Sequence, residues 1–160
     1  MRPAVAACVA ASTLYATDCV EAGNVQLPAE ARPLTQQEIV NVYSGKTINY
    51  PGFSYYFGPD NYLVGITKDR RSFGRGTWAV DDNTICLRSV WHSRGITKSF
   101  RYDVCYAWYA NDAAYWIKIT TGRLSGNVYK GDPSLVADGD RVSELVAKAS
   151  HRDFSQRERR

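Results

Sequence analysis

The chain has 160 residues, 44% of them apolar and 22% charged, with 12 Gly, 6 Pro and a formal net charge of +4. That length and balance fit one domain and exclude a disordered, collagen-like or low-complexity polymer. No run of about 18 apolar residues suits a membrane-crossing helix, and so mild a positive charge favours loose attraction to anionic surfaces over dedicated nucleic-acid binding.

Met1-Arg2 makes a short positive start, residues 3–16 are apolar and uncharged, and residues 17–22 are polar and end in Val20-Glu21-Ala22. Small residues at the third and first positions before a cut suit signal peptidase, so a secretory leader over 1–22 is expected. The alternatives are an N-terminal arm or buried helix, or a lipoprotein at Cys8 whose apolar core would be too short. Loss of the leader removes Cys8 and Cys19 and leaves Cys86 and Cys105, an even pair in a periplasmic or secreted chain.

Residues 23–33, with two Pro, read as a linker. A short helix follows: Thr35 is its N-cap, Glu38 completes a capping box, Leu34 can staple onto Ile39, and Gly45 closes the C-terminus after Ser44. Ile39, Val42 and Tyr43 share one face. Turn signals then recur at strand spacing and separate aromatic and β-branched runs at 46–50, 53–57, 62–67, 76–80, 84–91, 98–109, 113–120 and 127–130. About eight sequential antiparallel strands make residues 34–136 a small up-and-down β-barrel or a strongly curled meander.

One hairpin is legible pair by pair. Setting Cys86 opposite Cys105 centres the turn between Gly95 and Ile96, where a turn is signalled independently. Trp91 then faces Phe100, Leu87 faces Val104 and Ile85 faces Tyr106 on one apolar side, while Arg88 meets Asp103 beside the cysteines. The cysteines would form an outward cross-strand disulfide; the other reading is two free thiols in a cytosolic barrel. After Gly131-Asp132-Pro133, a stop, residues 137–160 read as an amphipathic helix, with Val142, Leu145, Val146 and Ala149 at helical spacing, followed by a frayed basic tail.

Catalytic and metal-binding patterns are sparse. His92 and His151 stand alone and no C-x-x-C occurs, so no metal or other cofactor is expected. A nucleophile–base pair would need His92 with Ser89, Ser93 or Asp103, yet no G-x-S-x-G turn presents a serine. Asp60, Asp81, Asp82, Asp112 and Asp132 all lie in turns, where Asp bonds nearby backbone N–H groups. No catalytic residue is expected.

Two features stand out. Residues 68–75 place Lys68, Arg70, Arg71 and Arg75 around Phe73, a loop able to grip phosphate, an acidic glycan or an acidic protein surface, or simply to be solvated. The second is aromatic density. Half the rings in alternating strands fill the interior, and the adjacent pairs Trp108-Tyr109 and Tyr115-Trp116 must each turn one ring outward.

The order Leu34-Thr35-x-x-Glu38-Ile39, Ser44-Gly45-Lys46-Thr47, Gly58-Pro59-Asp60, Gly76-Thr77-Trp78-x-Val80, Thr84-Ile85-Cys86-Leu87-Arg88, Val104-Cys105-Tyr106 and Gly131-Asp132-Pro133-x-Leu135 resembles a family of small exported bacterial proteins under a domain-of-unknown-function label. The likeness spans about residues 33–136 and implies export and a small β fold, with no catalytic set to carry over. A weaker likeness, to periplasmic lysozyme inhibitors, rests on Ser44-Gly45, which more simply ends a helix. The expectation is a monomeric, non-enzymatic, exported binding protein with no nucleic-acid partner. It would contact a protein or cell-envelope glycan through Arg70, Arg71 and Arg75 or through Trp108, Tyr109 and Trp116. The other readings are a lipocalin-like carrier of an apolar ligand and a periplasmic inhibitor of a hydrolase such as lysozyme.

Overall fold

A computed structural model describes residues 25–157, with side chains described through residue 150. The leader expected over 1–22 lies outside the described residues. The stretch read as a linker is tied to the sheet: Val25 N–H donates to the Val128 carbonyl (2.9 Å), and β1 (Arg32–Pro33) pairs antiparallel with Tyr109 and Ala110. Two-residue strands carry no periodicity, so alternation could not reveal this one.

Helix α1 (Gln36–Tyr43) forms where the capping signals place it. Thr35 Oγ1 accepts from Glu38 N–H (3.3 Å) while the Glu38 carboxylate accepts from Thr35 N–H (2.8 Å), satisfying two donors that an uncapped helix leaves unpaired. Arg32 reaches back with a two-pronged contact to the same carboxylate, 2.7 and 3.0 Å, joining β1 to α1. Arg32 and the two Thr35 donors hold the Glu38 pKa down to about 2. Gly45, at φ +73°, ends the helix after the Ser44 cap, so Ser44-Gly45 is a helix terminus here.

The meander then runs through β2 (Lys46–Asn49), β3 (Phe53–Phe57), β4 (Tyr62–Thr67), β5 (Ser72–Asp81), β6 (Thr84–Ser93), β7 (Phe100–Ala110), β8 (Tyr115–Ile119) and β9 (Val128–Lys130), each paired antiparallel with the next. Cys86 faces Cys105, and the flanking pairs Leu87–Val104, Arg88–Asp103, Ile85–Tyr106 and Trp91–Phe100 are those expected from sequence. The Cys86–Cys105 disulfide is formed. Strand β5 begins four residues earlier than expected, at Ser72, so Arg75 belongs to a strand and not to the basic loop.

The chain does not stop at Gly131-Asp132-Pro133. Asp132 accepts from Ser134 N–H (2.9 Å) and caps a 3-10 turn at Pro133–Leu135; β10 (Val136–Asp138) then returns to pair with β2. The boundary expected at 136/137 therefore falls inside a strand of the same sheet. Among the described residues ten strands form one strongly curled half-barrel, and its edges, β9 and β10, do not pair with each other. The curled meander is the form adopted and the closed barrel is not. Helix α1 and the connection through Pro133–Leu135 occupy the seam that closure would need, beside a cleft of about 290 Å³ bounded by Val42, Trp108, Tyr115 and Val136.

Each face of the sheet has its own core. The concave face buries Tyr55, Phe57, Leu63, Trp78, Ile85, Leu87, Trp91 and Trp108 around Ile39 and Tyr43 of α1. Rings meet edge-on or tilted, Tyr43 with Phe57 at 4.5 Å and Phe57 with Trp78 at 5.9 Å, as aromatic quadrupoles favour. Gly65 and Gly74 make this packing possible, because a Cβ at Gly74 would stand 2.6 Å from the Trp91 ring. On the convex face Val142, just ahead of α2 (Ser143–Arg157), and Val146 within it pack onto Tyr56, Val64 and Ile66. Asp140 starts it by accepting from Val142 and Ser143 N–H, both at 2.9 Å. The helix runs to Arg157, taking in residues the sequence assigned to a frayed tail.

Candidate functional site

The turn joining β4 to β5 is built by Asp69 and Thr67. Asp69 Oδ1 accepts from Thr67 Oγ1 (2.6 Å) and from Arg71 N–H (3.0 Å), and Arg70 N–H donates to the Thr67 carbonyl (2.9 Å). The Thr67 and Arg71 donors hold the Asp69 carboxyl below the usual carboxylate range. Its charge is thus committed to the turn.

The β5–β6 register sets Ser72 opposite Ser93, their hydroxyls 2.8 Å apart, which brings the next loop alongside. Arg94 N–H donates to the Arg71 carbonyl at 2.7 Å. Across the gap stands α2. Together these three segments enclose a pocket of about 210 Å³ lined by Asp69, Arg70, Arg71, Arg94 and Lys148 over a floor of Phe73, Leu145 and Ala149. Lys148 pairs with Glu144 along the helix. Among the described residues no carboxylate forms an ion pair with Arg70, Arg71 or Arg94. The His92 ring stacks on Phe73 at 5.7 Å and an interplanar angle of 30°.

Of the cations expected from sequence, Arg70 and Arg71 line this pocket, whereas Arg75 lies exposed on the convex face of β5, in a cross-strand row with Val64, Val90 and Arg101. Arg94 and Lys148 were not anticipated. The pairing of β5 with β6 carries the signal for Arg94; the apolar stripe of α2, which Lys148 flanks, carries it for the lysine.

The aromatic candidates need correction. Trp108 is buried on the concave face, edge-on to Tyr43 at 5.8 Å, its indole N–H making no well-formed hydrogen bond among the described residues. Trp116 is buried as well, on the opposite face, beside the half-buried Tyr109. Strand alternation required one ring of each pair to leave the concave core, but leaving that core is not the same as meeting water. Among the described residues the exposed large rings are Tyr62, Phe100, Tyr102 and Tyr115, and Phe100, 50% exposed, lies nearly parallel to Trp91 at the concave rim. Burial raises the phenol pKa of Tyr43, Tyr55 and Tyr106, and lifts Tyr50 to about 12. Among the described residues no group of three or more His, Cys, Asp or Glu gathers where a metal could bind.

The family model described as "Protein of unknown function (DUF995)" matches residues 6–150, nearly the whole chain. The chain belongs to this family. The match extends the resemblance beyond residues 33–136 at both ends and takes in the first half of α2. No curated protein and no solved structure matches the chain.

Proposed function

We propose that this member of the family is an exported, non-enzymatic protein that binds an anionic cell-envelope glycan through the pocket between the β4–β5 turn and α2. The observation carrying this reading is the convergence of Arg70, Arg71, Arg94 and Lys148 from three separate chain segments on one apolar-floored pocket. Their one acidic companion in the lining, Asp69, is held by the turn. Such a concavity concentrates positive potential and draws anions to it. The disulfide supports an oxidising compartment and hence export.

The test is binding of the disulfide-intact protein to anionic and neutral polysaccharides at low and at moderate salt. Expected is binding to the anionic set only, weakened by salt, and lost in the Arg71→Ala/Arg94→Ala variant. Equal binding to neutral polysaccharides, or an unaffected double variant, would refute the reading.

A further inference from the structure

Arg70 occupies an unusual backbone position. Its φ is +57°, in the left-handed region that glycine and asparagine enter easily and a long side chain does not. It follows the tight turn closed by its own N–H on the Thr67 carbonyl, a place that hairpins of this kind usually give to glycine. An arginine here works against the local backbone, and strain of this sort concentrates at ligand-holding sites.

The surroundings say which ligand. Three guanidinium-bearing residues, Arg70, Arg71 and Arg94, meet in one lining, with Lys148 as a fourth cation. Each guanidinium presents a planar fork of donors, suited to two oxygens at once. A carboxylate has only two oxygens to offer, whereas a phosphate monoester offers three and carries a larger charge. The floor of Phe73, Leu145 and Ala149 is apolar and accepts carbon. At about 210 Å³ the pocket equals about seven waters at their liquid volume, room for a phosphoryl group and several adjacent carbons.

We infer that this pocket is a phosphoryl-group site for an organic phosphate, with Arg70 held in its left-handed conformation to supply one of the three forks. The inference rests on the reading of the pocket as the binding surface and narrows its ligand chemistry. The phosphoryl group can be borne by a saccharide or by a lipid headgroup.

Glucose 6-phosphate and glucuronate carry different anions on the same sugar skeleton. They are titrated into the full disulfide-intact chain by calorimetry, alongside vesicles containing phosphatidic acid and vesicles of phosphatidylcholine alone, and the anionic polysaccharides of the previous test. Expected is saturable binding of glucose 6-phosphate or of the phosphatidic acid vesicles, at least tenfold tighter than glucuronate or phosphatidylcholine respectively. Preference for the sugar phosphate assigns the group to a saccharide, and preference for the vesicle assigns it to a lipid. The Arg70→Gly variant should lose at least tenfold in affinity while melting at the same or a higher temperature, and Arg71→Lys, which keeps the charge but not the fork, should also bind more weakly. Equal affinity for glucuronate, or undiminished binding by Arg70→Gly, would overturn the inference. Polysaccharide binding that persists with neither phosphate ligand recognised would overturn it and leave the broader reading standing; loss of all three would remove both.

Discussion

The two faces of the half-barrel are built on opposite terms. The concave face is aromatic and interlocked: Tyr55, Phe57, Trp78 and Trp91 pack against α1, and the indoles of Trp78 and Trp91 donate to the Gly58 carbonyl (2.9 Å) and to Ser89 Oγ (3.0 Å). The convex face carries a smaller core under α2, and at its edge Arg70, Arg71 and Arg94 line the basic pocket with Asp69 as the one carboxylate in its lining. Rings that satisfy one another make a scaffold. Cations left facing water at the mouth of a pocket contribute little to folding and are available to a ligand. The larger core therefore lies on the concave side, and the proposed recognition surface lies at the edge of the other.

That division is open to attack, beginning where the effect should be greatest. Phe57→Ala removes a fully buried ring that touches Tyr43, Tyr55 and Trp78, and should cost about 3–5 kcal/mol in denaturant unfolding. Replacing both Cys86 and Cys105 by Ser opens a loop of sequence separation 19 and should cost about 3 kcal/mol in the chain-entropy account. Intact mass of the protein purified from its native source bears on the compartment as well: a species lacking residues 1–22, with no thiol alkylated before reduction, is expected.

Acid should act more gently, through α1. The Glu38 pKa is about 2 in the folded protein, depressed by Arg32 and Thr35, against an unperturbed 4.5. Its stabilising contribution is thus present above about pH 5 and is lost as pH falls towards 2. Melting curves at descending pH should show a shallower decline for Glu38→Gln than for the parent chain. Smallest of all, Arg71→Ala/Arg94→Ala should change unfolding free energy by no more than about 0.5 kcal/mol per site, because both side chains are exposed. A large loss of stability in that variant would blur the distinction between the faces.

Much of the fold was legible because independent signals agreed. The β6–β7 register follows from thiols, turn, charge and apolar alternation together, and the ends of α1 follow from Thr35, Glu38 and Gly45. Strands β1 and β10, of two and three residues, were too short for any periodicity to register. The hairpin register, carried three residues past Cys105, already places Trp108 on the inward side with Val104 and Tyr106, so its burial was available from sequence. Trp116 was not, since alternation names the face of a ring and says nothing of what covers it. Half of the candidate site, Arg70 and Arg71, was visible in one basic loop. Arg94 and Lys148 join it only through the β5–β6 register and the docking of α2, contacts that separation along the chain conceals.

Residue-resolved amide exchange of the disulfide-intact protein, with and without an anionic polysaccharide, tests the division of labour most directly. Added protection is expected only in the 67–72 turn, at Arg94 and in the segment of α2 around Lys148, with the concave strands already protected and unchanged. Protection appearing instead along Phe100 and Tyr102 at the concave rim, with the basic pocket unaffected, would contradict it.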